Sequence, residues 1–187
     1  MFDTISISGI TDLHKYPKIN CPHHCKQCLH TNLLVVPCEK PDIESINDIK
    51  VSICIDDFHI INTILGPKII LNGTKSVKII YTANNCKQSV HSSEWELPFC
   101  DFILIKDLSY DNCLSLIHDL FVGVEHVCIN NCDCRFIDVC IIFIICPIIK
   151  SQYYDCYRKH YNPVSNNCPP HNPYAYGYGK NNPHNQR

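Results

Sequence analysis

Alanine is nearly missing from this chain, with 2 residues in 187 against 27 isoleucines, 17 asparagines and 10 tyrosines. A sequence so short of the best helix former, and so rich in β-branched and aromatic residues, favours strands over helices. Charge of one sign is missing too. Lys and Arg number 16 and Asp and Glu 18, for a formal charge of -2; no basic surplus is left to neutralise phosphates, which argues against nucleic acid as a partner. Glycine occurs only 6 times, and no GxSxG elbow, Walker loop or HExxH pair occurs, so hydrolase, nucleotide-binding and metalloprotease signatures are all wanting. The sequence thus reads as a non-enzyme without a cofactor. The longest apolar run, Val139 to Ile149, is interrupted by Pro147 and covers about half of the roughly 20 residues a bilayer-spanning helix needs, so no membrane span is expected. The opening stretch MFDTISISGITDLHKYPKIN shows no cationic flank, apolar run and small-residue cleavage site in succession, so synthesis in the cytoplasm without a signal peptide is expected.

What the chain has in excess is cysteine, 15 residues. An odd number rules out complete internal pairing and leaves at least one thiol free, metal-bound or bonded to another chain. A domain of this length can be stable on its hydrophobic core alone, so the cysteines answer to something beyond folding. Cytosolic synthesis and dense thiols are reconciled by a compartment that begins reducing and ends exposed to oxidant.

Three regions differ in texture. Residues 1–38 read as an irregular leader ending in a Cys/His cluster: Cys21, His23, His24, Cys25, Cys28 and His30, then Cys38. Thiolate and imidazole ligands at this density are enough for a tetrahedral zinc site, with Cys21, Cys25, Cys28 and Cys38 as the ligand set. The favoured reading is a knot of thiols for disulfides within or between molecules, because zinc sites usually set two ligand pairs a dozen or more residues apart. Residues 39–150 alternate with the period of strands: Ile49, Val51, Ile53 and Ile55; Trp95, Leu97 and Phe99, with Pro98 suggesting an edge; Val122, Val124 and Val127; and Ile137, Val139, Ile141, Phe143 and Ile145, apolar on both faces near its end and so central. Ile69–Leu71 and Val77–Tyr81 flank Asn72-Gly73, which is either a tight hairpin turn or a glycine bulge within one long strand. Asp111–Phe121 is the one place where a short helix competes, with Leu114, Ile117 and Phe121 at helical spacing. The expected fold is all-β, a single antiparallel β-sandwich or barrel-like domain of about seven strands. Residues 151–187 hold seven tyrosines and five prolines but hardly an aliphatic side chain, a composition expected to stay flexible unless a neighbouring molecule orders it.

Beyond the leader, Cys86, Cys113, Cys132, Cys134, Cys156 and Cys168 fall among Asn, Asp and Pro in expected loops and join Cys21, Cys25, Cys28 and Cys38 as cross-link candidates. Cys140 and Cys146, in the apolar last strand, read as small buried hydrophobes. His91 and His126 read as satisfied structural histidines on strands.

The runs NGTKSVKIIYTA and QSVHSSEWELPF, with VSICIDDFHIINT before them and VEHVCINNCDCRFIDVCIIFIIC after them, resemble the SPOCS domain of clostridial spore-surface proteins over about residues 41–150. The chain is similar to the short cysteine-rich members, since it has one copy of the domain and no peptidoglycan-binding module. The resemblance implies a structural protein of the spore coat or exosporium, made in the mother-cell cytoplasm and exposed to oxidant when that cell lyses. Self-assembly into a sheet or filament locked by intermolecular disulfides is the expected function, with itself and other coat proteins as partners. The alternative is an adaptor that recruits another coat protein and holds a metal in its Cys/His cluster.

Overall fold

The computed structural model describes residues 5–17, 24–106 and 108–149. Seven strands and one short helix are present among them: β1 (Ser6–Ser8), β2 (Lys26–Val35), β3 (Ile43–Thr63), β4 (Gly66–Ala83), β5 (Val90–Leu104), α1 (Tyr110–Leu116), β6 (Ile117–Cys132) and β7 (Phe136–Ile149). They form a four-stranded sheet in the order β1-β3-β4-β5 and a three-stranded sheet in the order β2-β7-β6. A single core lies between them, built from Ile49, Val51, Ile69, Leu71, Val77, Ile79 and Tyr81 of the first sheet and Leu34, Val127, Ile137, Val139, Ile141, Phe143 and Ile145 of the second. All strand pairs are antiparallel except β1 with β3, which is parallel.

β4 follows the strand period without a break: every second residue from Pro67 to Ala83 is buried. Asn72-Gly73 therefore lies inside one long strand and makes no hairpin. The bulge sits across from it, on β3, where the register shifts between Ile55 and Asp57. Gly73 is needed for a different reason, because a Cβ there would stand 2.5 Å from the Cys54 carbonyl oxygen and 2.7 Å from the Phe99 ring. The β3–β4 turn falls instead at Ile64-Leu65, where the Thr63 hydroxyl donates to the Gly66 carbonyl at 2.7 Å and Gly66 takes φ 108°, a conformation costly for any residue with a Cβ.

Bulges also explain why spacing misleads on β3. Ile43, Ile46 and Ile49 are three apart yet all buried, since register shifts at Ile43/Ser45 and Ile46/Asp48 each insert one residue and keep the isoleucines on one face. On β6 a shift between Val124 and His126 likewise leaves Val124 and Val127 buried and His126 exposed, so His126 is a surface residue of its strand. Pro98 lies on β5, an edge strand, and β7 is central, both as their patterns require.

The short helix does form. Ser109 caps it, its hydroxyl accepting from the Asn112 N–H at 3.3 Å, but it ends at Leu116, and Ile117–Phe121 belong to β6. Its inward residue is Cys113, fully buried, whereas Leu114 is exposed; Cys113 is thus a core residue of a helix and not a loop thiol.

The largest departure from the sequence reading is the leader, two strands of which complete the sheets. β1 adds to β3, and farther on Thr11 binds the opposite sheet, its N–H donating to the Val124 carbonyl at 2.8 Å and its hydroxyl accepting from the Val124 N–H at 3.0 Å. β2 escapes the period-two pattern because its faces are inverted. Lys26, Cys28, His30, Asn32 and Leu34 point inward, while Leu29 and Leu33 are 65% and 64% exposed. The tail, residues 151–187, lies outside the described residues, as do Cys21, His23, Cys156 and Cys168.

Candidate functional site

Two places gather chemistry-bearing side chains. The first is one end of the sandwich, where the loops Val36–Asp42, Asn84–Ser89 and Asp133–Arg135 converge. Strand pairing brings them there, since Val35 is opposite Phe136, Ile43 opposite Ala83 and Val90 opposite Thr82. Arg135 ties the first and third of them together. Its guanidinium donates to the carbonyls of Val36, Pro37 and Lys40 at 3.4, 3.2 and 3.1 Å, and its Nε pairs with Asp42 at 2.7 Å. Backbone bonds from Ile43 N–H to Cys134 O, 2.7 Å, and from Asn84 N–H to Asp42 O, 2.8 Å, complete the clasp. The thiols of Cys38, Cys86 and Cys134 are exposed and unbonded on these loops, with Cys132 half-buried beside them. Burial raises the pKa of the Cys132 thiol, and Asp133 and Cys134 add to the shift.

The second place is a polar seam where the inverted face of β2 meets the other sheet. Cys28 donates to Asp101 at 3.0 Å, and Asp101 also takes the Lys26 ammonium and the Phe102 N–H at 2.7 Å. Burial pushes the Asp101 carboxyl up, but the hydrogen bonds from Lys26, Cys28 and Phe102 outweigh it and hold the group below its usual value. Cys28 moves the other way: burial first, then its bond to Asp101 and the charge there, push its thiol up to about 12. A thiol held that firmly in its protonated form is neither a nucleophile nor a thiolate ligand at neutral pH. Deeper along the strand, His30 is seated edge-on against Phe99 and Phe143, with ring centroids at 5.6 and 4.9 Å. Lys75, only 2% exposed, reaches His30 Nδ1 at 3.0 Å and Asn32 Oδ1 at 2.8 Å. Burial, then the nearby Lys75 charge, lowers the His30 pKa, and burial lowers that of Lys75.

Cys25, just ahead of β2, forms a disulfide with Cys146 of β7, with Cα atoms 4.3 Å apart and 121 residues of sequence between them. Cys54 of β3 is disulfide-bonded as well. Cys146 is therefore bonded and not merely a small hydrophobe. Cys128 and Cys140 face each other across β6 and β7.

Of the four cysteines read as an alternative metal set, Cys21 lies outside the described residues and the other three are not brought together. Cys25 is in a disulfide, Cys28 turns inward to Asp101, and Cys38 lies beyond the far end of β2, about 20 Å or more of strand away. Among the described residues no group of three or more His, Cys, Asp and Glu is placed to hold a metal ion. His91 is held by Ser89 at 2.9 Å. Sequence reasoning missed Asn32, Lys75 and Asp101. One signal was available for Lys75, which occupies a core position in the alternation Leu71, Gly73, Lys75, Val77, Ile79, and a lysine at such a register needs internal partners.

The family model described as SipL, SPOCS domain matches residues 42–134. No curated protein and no solved structure matches the chain. The matched segment runs from Asp42 to Cys134, both within the clasp, and holds Lys75, Phe99 and Asp101, whereas β2 and β7 lie outside it. Among the described residues no helix is long and apolar enough to cross a membrane.

Proposed function

Since the chain belongs to the SPOCS-domain family, whose members are generally non-catalytic and whose domain implies a spore-coat role, we propose that it is a structural protein of the spore surface that assembles with copies of itself through intermolecular disulfides at the clasped end. The observation that carries this reading is the grouping of exposed, unbonded Cys38, Cys86 and Cys134 on loops held together by Arg135 and by the Asn84 N–H bond to the Asp42 carbonyl. Oxidation of two such thiols on different copies releases two protons and two electrons to an oxidant such as dioxygen and leaves one S–S bond. Fixed loops matter here, because rigid presentation lowers the ordering entropy that each cross-link would otherwise cost.

The chain purified under reducing conditions and then air-oxidised is expected to form multimers that survive detergent and heat and collapse to monomer with a thiol reductant. Monomers in detergent without reductant would defeat the reading.

A further inference from the structure

Lys75 is the one buried residue of β4 that carries a charge, and among the described residues no carboxylate receives it. Its Nζ meets two neutral groups of β2, the Asn32 carbonyl oxygen at 2.8 Å and His30 Nδ1 at 3.0 Å, and the Phe99 ring, whose centroid is 5.8 Å away. The walls of the site are aromatic, with Phe99 and Phe143 in contact with one another and with the His30 ring. The Asn32 amide nitrogen is turned away, donating to the Thr31 carbonyl at 2.9 Å, so the carbonyl end of the side chain faces the lysine. An amine, a carboxamide and a base are thus assembled in a water-poor site before any reaction, the arrangement that gives intramolecular steps their large effective molarities.

We propose that Lys75 and Asn32 join through an intramolecular isopeptide bond from Lys75 Nζ to Asn32 Cγ, a covalent link between the two sheets that needs neither oxidant nor cofactor. His30 Nδ1 takes a proton from the Lys75 ammonium. The freed lone pair attacks Asn32 Cγ, the Cγ–Nδ2 bond breaks, and Nδ2 departs as ammonia after taking one proton from the attacking nitrogen. The proton on His30 then leaves with the ammonia as ammonium, so one ammonium and one carboxamide become one amide and one ammonium ion. Burial disfavours the charged lysine and leaves His30 neutral, with Nδ1 open to the proton, before the transfer, and although the transient imidazolium is itself penalised by burial, the product replaces a buried cation with a neutral amide. Asn32 is only partly buried, which leaves the ammonia a way out. The link is independent of the intermolecular disulfides proposed above, being internal and indifferent to reductant.

The test is the intact mass of the folded full chain after complete reduction and alkylation, followed by tryptic mapping. The expected result is a mass lower by one ammonia, a chain left uncut after Lys75, and a branched peptide containing both Asn32 and Lys75. Asn32→Ala and Lys75→Arg chains are expected at full mass. Full mass in the unaltered chain, with normal cleavage after Lys75, overturns the proposal. So does loss of ammonia without the branched peptide, which marks a cyclised asparagine elsewhere. His30→Gln is expected to lower the converted fraction, and undiminished conversion would overturn the assignment of His30 as the base.

Discussion

Sulfur is placed under opposite conditions at the two ends of β2. At the clasped end, Cys38, Cys86 and Cys134 stand in solvent on short loops, and removing any of them takes nothing from the core. At the other end Cys28 is buried against Asp101 and Cys25 is bonded to Cys146, itself 1% exposed. One set of thiols is available to other molecules and contributes little to folding, while the other is committed to folding and shielded from exchange. A cysteine count in the sequence pools these two populations. What separates them is whether the residue falls on a loop between strands or on the inward face of one.

The sharpest way to break this contrast is to remove the interior bond. Cys25→Ser with Cys146→Ala opens a loop of 121 residues, and chain-entropy arguments put the loss at up to about 5 kcal/mol; it is read as a fall in the urea midpoint of the monomer. A loss no greater than that from the end thiols would make the two populations equivalent. Next in size is Arg135→Ala, which removes the ion pair to Asp42 and the bonds to three carbonyls. Because the guanidinium is partly exposed, about 1–3 kcal/mol is expected, with faster amide exchange in Val36–Asp42 and Asp133–Arg135 as the local sign.

Acid should act on the seam. The Asp101 pKa is lower in the folded chain than its ordinary 3.8, so the stability it contributes is present above that value and lost as pH falls through the folded pKa. His30 is also depressed, from 6.5. The unfolded chain therefore binds its proton first, and stability falls as pH drops below about 6.5 toward the folded pKa. The thermal midpoint is expected to decline in two stages between neutral pH and pH about 3, with Asp101→Asn flattening the lower stage and His30→Gln the upper one. The smallest effect on stability belongs to the end thiols. Cys38→Ser, Cys86→Ser and Cys134→Ser together are expected to change the unfolding free energy by no more than about 0.5 kcal/mol while abolishing reductant-sensitive multimers on gels. Multimers that persist in the triple variant would move the junction away from the clasped end, to Cys100, to the Cys128 and Cys140 pair or to Cys21, Cys156 and Cys168.

Legibility followed the polarity of the inward face. β7 could be read directly, because Ile137, Val139, Ile141, Phe143 and Ile145 alternate and each is fully buried, and the edge position of β5 was announced by Pro98. β6 and β3 were legible as strands but not residue by residue, since bulges at Glu125 and within Ile43–Asp48 change the spacing of buried positions. β2 could not be read at all, Leu29 and Leu33 lying outward while Lys26, Cys28, His30 and Asn32 turn inward.

By itself, then, the sequence determined the β class, the central apolar strand, the family of the middle of the chain and the surplus of thiols, all of which depend on local periodicity or on counting. Tertiary structure alone decided that the leader supplies strands to both sheets, which thiols are interior, and that Lys75 has partners. The physical reason is distance along the chain. Lys75 meets Asn32 and His30 across 43 and 45 residues, and Cys28 meets Asp101 across 73. A polar residue turned inward is tolerated only when such a remote partner satisfies it, and no local pattern records where that partner will be.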